Sequence, residues 1–380
     1  MQKKIYFENL DGLRFVAALV VFFSHRMNRL VEFSNIKSNI LAKIWDLAAS
    51  GYVGVMLFFV LSGFLITYIL LEEKELTGRI NVRNFYFRRI LRIWPLYFLV
   101  LAISFFVFPF LFHLTDMINS IPTRLPYYLS FLSNFDMRQG ALFQNKEVWV
   151  MQGITWSVSV EEQFYLVWPL LFIFLKPRYY IGIFIVAICS SLLFRIYIRG
   201  DFFTMSFNTL SVIINLAIGG LSAYLVLKYK GVKDFFSRIP PLVSVIVYIF
   251  GLAVIGCKDY IIAYIPYAGA TIHLFYGIFF SYVILDQNYS PQSFLKLGRC
   301  KFFSYWGKRS YGLYLLHPVA IAIVVYGVKH LNIIETTFFN YVMIGLAALI
   351  LSMAMSYLSY KFFEKRFLAL KSKYAIIATE

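Results

Sequence analysis

The sequence predicts an all-α, polytopic integral membrane protein with about ten transmembrane helices. Of its 380 residues, 60% are hydrophobic and only 14% are charged, whereas soluble domains are nearer half apolar and a quarter charged. Apolar runs recur along the whole chain, and each is long enough to cross a hydrocarbon core of about 30 Å as a helix. The strands of a membrane β-barrel would instead alternate in segments of about ten residues.

The apolar runs define the predicted spans, which together make residues 1–370 a single transmembrane domain before a cytoplasmic tail, 371–380. We delimit them at 10–29, 51–71, 90–112, 155–175, 179–198, 206–228, 240–257, 266–285, 310–329 and 338–362. The segment 125–135 is too short to span the bilayer, so it predicts one re-entrant or interfacial helix.

The net charge of +17 is explained by membrane orientation and does not require a nucleic-acid partner. Roughly two thirds of the basic residues fall in alternate loops or near the termini, and this positive-inside pattern predicts that both termini are cytoplasmic. An additional span at 125–135 would move the later basic loops to the outside. The three cysteines, Cys189, Cys257 and Cys300, form no CxxC pair, so we expect neither a metal site nor a disulfide framework.

Ionisable residues within spans are costly and are candidates for function. In LDGLRFVAALVVFFSH, Arg14 and His25 lie eleven residues apart, which places them on one helix face and roughly 16 Å apart along the axis. The alternative is that each side chain only extends to its nearer interface. Glu161, in WSVSVEEQFYLVWP, is predicted at the depth of His25, where a carboxylate would orient an imidazole. A carboxylate favoured by the helix N-terminus is the alternative for Glu161 and more so for Glu162.

A basic cluster is predicted at the cytoplasmic depth of Arg14. In FYFRRILRIWPLY, Arg89 and Arg92 occupy one helix face, and Arg88 points elsewhere. Guanidinium groups bind phosphates with paired donors, although ordinary positive-inside flanks are the alternative. Phosphates at this depth and a reactive group roughly 16 Å away match the shape of acyl-coenzyme A. Ser62 lies beside Gly63 in VLSGFL. These small residues predict either close helix packing or contact with that substrate.

At this point the chain resembles the membrane acyltransferase-3 family from about residue 8 to residue 364. Five segments carry the resemblance in order: LDGLRFVAALVVFFSH, GVMLFFVLSGFLITYILL, FYFRRILRIWPLYF, WSVSVEEQFYLVWPLL and SYGLYLLHP. The resemblance implies a ten-helix membrane enzyme that transfers acyl groups, commonly acetyl, to carbohydrates and other acceptors. Many relatives carry a fused extracytoplasmic hydrolase-like domain, and we expect this chain to be a stand-alone member.

The resemblance also implies roles for individual residues. Arg14 and His25 match the family's Arg-x10-His pair, and Arg89 with Arg92 matches its RxxR motif. The remaining matches are Glu161, Trp156, Ser157 and Tyr165 of the WS-x3-E segment and His317 of SYGLYLLHP. Asp11 and Ser62 are expected to support these residues, and His273 is assigned no role.

The working hypothesis is that cytoplasmic acyl-CoA, with acetyl-CoA expected, places its phosphates on Arg89, Arg92 and Arg14. His317, predicted nearer the inner end of its span, would either line the CoA channel or be a hydrogen-bonded structural histidine. His25 would act as general base or transient acyl carrier, oriented by Glu161. The expected acceptor is a cell-surface polysaccharide or lipopolysaccharide sugar, and the expected location is a bacterial inner membrane. The alternatives are a transporter or flippase of a lipid-linked glycan, and a sensor or scaffold without chemistry.

Overall fold

Helices form the whole regular structure of the described chain. A computed structural model describes residues 6–27, 51–140, 146–331, 338–371 and 374, and these residues contain no β-strand. The predicted all-α polytopic class is therefore confirmed. Most of the predicted cytoplasmic tail, 371–380, lies outside the described residues.

Nineteen α-helices follow one another within the described ranges. They are α1 Glu8–Met27, α2 Gly51–Thr77, α3 Val82–Ala102, α4 Phe108–Leu111, α5 Thr115–Leu129, α6 Ser133–Gly140, α7 Lys146–Gly153, α8 Thr155–Phe174, α9 Tyr180–Tyr197, α10 Phe202–Phe207, α11 Thr209–Lys228, α12 Lys230–Ser237, α13 Pro241–Gly256, α14 Lys258–Tyr264, α15 Ala268–Tyr289, α16 Lys301–Gly307, α17 Ser310–His330, α18 Phe338–Leu358 and α19 Lys365–Lys371. π-helical turns continue α3 at Ile103–Val107 and α18 at Ser359–Glu364.

Seven of the described helical segments are long and apolar enough to cross a membrane, and an eighth results if α12 and α13, which meet at 96°, form one broken span. The predicted spans 10–29 and 155–175 correspond to α1 and α8. Both helices fall outside this group because charged side chains interrupt their apolar sequence. The count of ten spans and the cytoplasmic location of the termini stay predictions.

The prediction of a single short helix over 125–135 is wrong. The chain instead forms two helices, α5 and α6, which end and begin on either side of residues 130–132. At this break Phe131 adopts a left-handed conformation with φ of 55°. A buried ion pair joins the two helices, because the Arg124 guanidinium lies 2.6 Å from Asp136 Oδ2. Arg124 also donates to Gln152 Oε1 of α7 at 2.6 Å, so the three helices form one unit.

The centre of the bundle is the α2–α11 pair. Of the most apolar 18-residue stretch of α2, 83% is buried inside the bundle. For the corresponding stretch of the segment Pro177–Tyr197 the buried share is 22%. The two helices approach closely because glycines lie at their contact. A Cβ added to Gly63 would lie 1.9 Å from the Leu216 carbonyl oxygen, and one added to Gly219 would lie 2.1 Å from the Val60 carbonyl oxygen. Small residues allow such backbone approach in membrane helices.

The helices that carry the polar residues pack around this pair. α1 contacts α2, α16 and α17, whereas α8 contacts α2, α3 and α6. Asn81 caps the N-terminus of α3, since its side chain accepts a hydrogen bond of 3.0 Å from the Asn84 amide. The cap satisfies one of the free amides at this helix end and fixes the start of the helix that carries the predicted arginine pair.

Replacing Gly63 with alanine should destabilise the protein, because the added methyl group would collide with the backbone of α11. Overpacking of this kind costs about 1–3 kcal/mol. The matched control is Gly182→Ala in α9, where an added Cβ meets nothing within 4 Å, and where alanine should be neutral or stabilising by up to about 1 kcal/mol. Thermal unfolding of the purified proteins in one detergent measures both. Equal unfolding temperatures for the two variants would contradict the close α2–α11 contact.

Candidate functional site

Two neighbouring cavities contain most of the residues singled out by the sequence. The arginine cavity, of about 90 Å³, is lined by residues of α1, α2, α3, α8 and α17, among them Arg14, Ser62, Arg89, Arg92, Ser157, Glu161, Tyr165 and Tyr314. The histidine cavity, of about 710 Å³, is lined by His25, Tyr52, Trp156, Arg195, His273, Tyr276 and Tyr314, among others. Because Tyr314 lines both, the two cavities adjoin at its side chain.

The arginine cavity unites the three arginines that the sequence placed at one depth. Arg89 is buried, and its guanidinium carbon lies 5.7 Å from the ring centroids of Phe85 and Tyr165. Its Nε atom is buried with no hydrogen-bond partner among the described residues. Arg92 is half-buried, and within the same part of the chain it forms no ion pair.

The third arginine has its own counterion. Arg14 donates to Asp11 Oδ1 at 2.8 Å, and Asp11 also accepts a hydrogen bond of 2.9 Å from Tyr6. Asp11 therefore holds the Arg14 side chain from one turn earlier on α1, and its supporting role stays a prediction. Arg88, in contrast, points away from the cavity and pairs with Glu73 at 3.1 Å.

Glu161 belongs to the arginine cavity and not to the neighbourhood of His25. Its Oε1 accepts a hydrogen bond of 2.7 Å from Ser62, and its Oε2 accepts one of 3.0 Å from Tyr165. The predicted contact between Glu161 and His25 is therefore wrong. Similar depth in a bundle does not fix the direction in which a side chain points, and α8 directs Glu161 toward α2. Glu162 accepts a hydrogen bond of 3.0 Å from the Trp94 indole.

His25 is instead in hydrogen-bond contact with His317. His25 Nδ1 lies 2.8 Å from His317 Nε2, and the two rings are within 11° of parallel. The other ring nitrogen of His317, Nδ1, lies 2.6 Å from the Tyr314 carbonyl oxygen. His317 is fully buried and lines neither cavity. Of its two predicted roles, the structure shows the hydrogen-bonded histidine and not a position on either cavity, because α17 packs against α1 and turns this side chain to His25.

Aromatic residues form much of the wall of the histidine cavity. The rings of Tyr52 and Trp156 stack at a centroid separation of 6.1 Å, and Tyr276 and Phe202 also line the cavity. The side chain of His25 is exposed to this space. Such a cavity offers flat apolar faces and a few polar groups, as small-molecule sites generally do.

A polar network behind this wall was not identified from the sequence. The Tyr52 hydroxyl donates a hydrogen bond of 3.0 Å to the Ser206 carbonyl oxygen and lies 3.1 Å from His273 Nε2. The other ring nitrogen, His273 Nδ1, lies 2.9 Å from the side-chain amide nitrogen of Asn215. Arg195 donates to the backbone carbonyls of Ala270, Met205 and Gly269. These residues fix the position of α15 and α9 at the cavity. The sequence signal was their intramembrane polarity, but their partners are distant in sequence.

Tyr314, which forms the boundary between the two cavities, was also not identified from the sequence. Tyr314 is hydrogen-bonded to Ser157 at 2.7 Å between their hydroxyl groups, and its ring packs edge-on against Phe58 at a centroid separation of 5.6 Å. Tyr314 lies one helical turn before His317 in SYGLYLLHP, so its sharing of a face with His317 could have been predicted. Among the described residues, no group of three or more His, Cys, Asp or Glu side chains is arranged to hold a metal ion.

Comparison with known proteins gives matches over nearly the whole chain. O-acetyltransferase OatA of Staphylococcus aureus (strain NCTC 8325 / PS 47) is 29% identical over 373 residues, which cover 94% of this chain and 57% of OatA. "Putative O-acetyltransferase SACOL0978" of Staphylococcus aureus (strain COL) is 29% identical over 346 residues, which cover 85% of this chain and 52% of that protein. The chain thus spans about half the length of these curated relatives. No solved structure matches it.

The model of one protein family, described as an acyltransferase domain, matches residues 7–360. That range contains every residue of the two cavities described above. The chain therefore belongs to this acyltransferase family.

Proposed function

We propose that the protein is a membrane O-acyltransferase that moves an acetyl group from acetyl-CoA to a hydroxyl group of a carbohydrate. The observation that carries the proposal is the adjacency of the two cavities at Tyr314. One cavity presents arginines, and the other exposes an imidazole to a space large enough for a small organic acceptor. A donor with phosphates at one end and an acyl group at the other would connect them.

The positive charge of the arginine cavity favours binding of an anionic donor. Arg89 and Arg92 have no carboxylate in ion-pair contact among the described residues, and Arg89 Nε is buried without a partner. Buried polar groups are nearly always hydrogen-bonded, so an unpartnered guanidinium nitrogen is suited to an incoming anion. Phosphate oxygens accept paired hydrogen bonds from arginine. The cavity of about 90 Å³ is much smaller than the histidine cavity of about 710 Å³, so the nucleotide would remain at its mouth.

The histidine cavity is where the acceptor would bind and where its hydroxyl group would react. His25 supplies an exposed imidazole to this cavity, whereas His273, which also lines it, is buried and hydrogen-bonded to its neighbours. Imidazole is the most frequent general base. The stacked Tyr52 and Trp156 rings would pack against the apolar face of a sugar. The names of the curated relatives, both O-acetyltransferases, favour acetyl as the acyl group and oxygen as its acceptor. A cell-surface glycan and a bacterial inner membrane complete the proposal.

Removing the imidazole should nearly abolish acyl transfer. In His25→Ala, loss of the general base should lower the rate of acetyl incorporation by about 10²–10⁴-fold. The matched control is His330→Ala, since His330 lies exposed at the end of α17 and lines neither cavity. The assay follows release of free CoA thiol and the added acetyl mass on glycans in membranes with equal protein content. Wild-type transfer by His25→Ala would overturn the assigned role, and acceptor movement without CoA release would indicate a flippase.

Neutralising the buried arginine should weaken donor binding without unfolding the protein. In Arg89→Gln the KM for acetyl-CoA should rise about ten- to hundredfold, because a hydrogen bond to a charged group contributes about 1.5–3 kcal/mol. The acceptor KM should stay within about threefold. Arg89 forms no direct salt bridge in the described chain, so the substitution breaks none.

The control for the arginine experiment is Arg178→Gln, which removes an equal charge from the exposed turn Pro177–Tyr179. Initial rates at varied acetyl-CoA concentration separate the two variants. An unchanged donor KM in Arg89→Gln, or an equal rise in Arg178→Gln, would contradict a phosphate site in the arginine cavity.

A further inference from the structure

The hydrogen-bond partners of His317 determine where its proton lies. His317 Nδ1 is 2.6 Å from the Tyr314 carbonyl oxygen, and a carbonyl oxygen can only accept. Nδ1 of His317 must therefore carry a hydrogen. The side chain is fully buried, so this contact is not exchanged for one with bulk water.

The second nitrogen of His317 must accept a hydrogen bond if the ring is neutral. Besides the His25 ring, the rings of Phe22 and Tyr314 lie against His317, each at a centroid separation of 6.1 Å. No carboxylate in the described chain pairs with it. Because an uncompensated buried cation is costly, the neutral ring is favoured, and Nε2 has only a lone pair.

This lone pair sets the tautomer of His25. His25 Nδ1 lies 2.8 Å from His317 Nε2, so His25 must donate the hydrogen of that contact. Its Nε2 is then the unprotonated atom, and this nitrogen has no partner among the described residues. The side chain is exposed to the histidine cavity, where an acceptor hydroxyl can reach it.

We propose that His317 is a positioning residue, which holds His25 as the Nδ1-protonated tautomer so that Nε2 of His25 takes the proton of the acceptor hydroxyl. The proposal rests on the proposed acyl-transfer function and selects the general-base role from the two open to His25. Orientation of a catalytic imidazole is elsewhere the task of a carboxylate, and here a second histidine anchored to the Tyr314 carbonyl does it.

The proton and the bonds balance in one transfer cycle. His25 Nε2 takes the hydroxyl proton while the acceptor oxygen attacks the thioester carbonyl carbon, so an oxygen–carbon bond forms and the carbon–sulfur bond breaks. The departing thiolate takes the proton from Nε2 and leaves as the free thiol of CoA. While His25 carries both protons, its Nδ1–H bond to His317 becomes charge-assisted and therefore stronger.

The tautomer can be measured independently of activity. The chain has five histidines, so ring ¹⁵N labelling of histidine in the full-length protein gives a tractable spectrum, and the His25→Gln variant identifies the His25 signals. In the wild type, at a pH where the ring is neutral, Nδ1 of His25 should be protonated and Nε2 unprotonated. In His317→Leu this preference should be lost. A wild-type His25 with protonated Nε2 would overturn the inference.

Activity tests the same contact in a second way. In His317→Leu, kcat should fall about 10²-fold or more, as expected when a catalytic imidazole loses its orienting partner, while the KM for acetyl-CoA stays within about threefold. In His317→Gln, the amide oxygen can still accept from His25, so kcat should recover by at least about tenfold over the leucine variant.

Folding and function are controlled separately. Thermal unfolding of each variant shows whether it is folded, and the wild-type spectrum tests the tautomer even if His317→Leu does not fold. Equal kcat values for the leucine and glutamine variants, or wild-type kcat in the leucine variant, would overturn the positioning role. If the wild type shows the expected tautomer but transfers no acetyl group, the proposed function fails and the positioning proposal falls with it; acetyl transfer with the opposite tautomer overturns the positioning proposal alone.

Discussion

The hydrogen bond between His25 and His317 links helices that lie 292 residues apart in the chain. It attaches the C-terminal part of α1 to α17 and presents the free side of the His25 ring to the larger cavity. Three turns earlier, Arg14 extends from the same helix into the smaller cavity. One helix therefore contributes to both cavities, and the relative position of the two polar sites depends on how α1 packs against α17.

The buried arginines Arg89, Arg124 and Arg195 differ in how well their hydrogen bonds are satisfied. Arg124 is bound by Asp136 and Gln152, and Arg195 is bound by backbone carbonyls and a serine hydroxyl. These side chains join helices and need nothing further. Arg89 is equally buried but has an unpartnered Nε. Because leaving such a group unpaired costs about 1–3 kcal/mol, Arg89 Nε is suited to bind the anionic donor proposed above.

The sequence predicted the placement of residues on single helices better than contacts between helices. The spacing of Arg14 and His25, and that of Arg89 and Arg92, follows from helical periodicity alone. The assignment of Glu161 to His25 failed because depth was inferred from loop charges while the rotation of α8 was not determined. The CoA-channel alternative for His317 failed for the same reason. Contacts between such residues depend on the packing of the whole bundle, which a single sequence does not encode in any local pattern.

Tyr314 combines two functions, one in its backbone and one in its side chain. Its backbone carbonyl receives the hydrogen bond from His317, whereas its side chain stands between the two cavities and bonds to Ser157. Because the phenol is buried, packed edge-on against Phe58 and hydrogen-bonded to Ser157, it separates the two cavities. The carbonyl that fixes the His317 ring belongs to the same residue. The boundary between the cavities and the support of the histidine pair therefore depend on one position of α17.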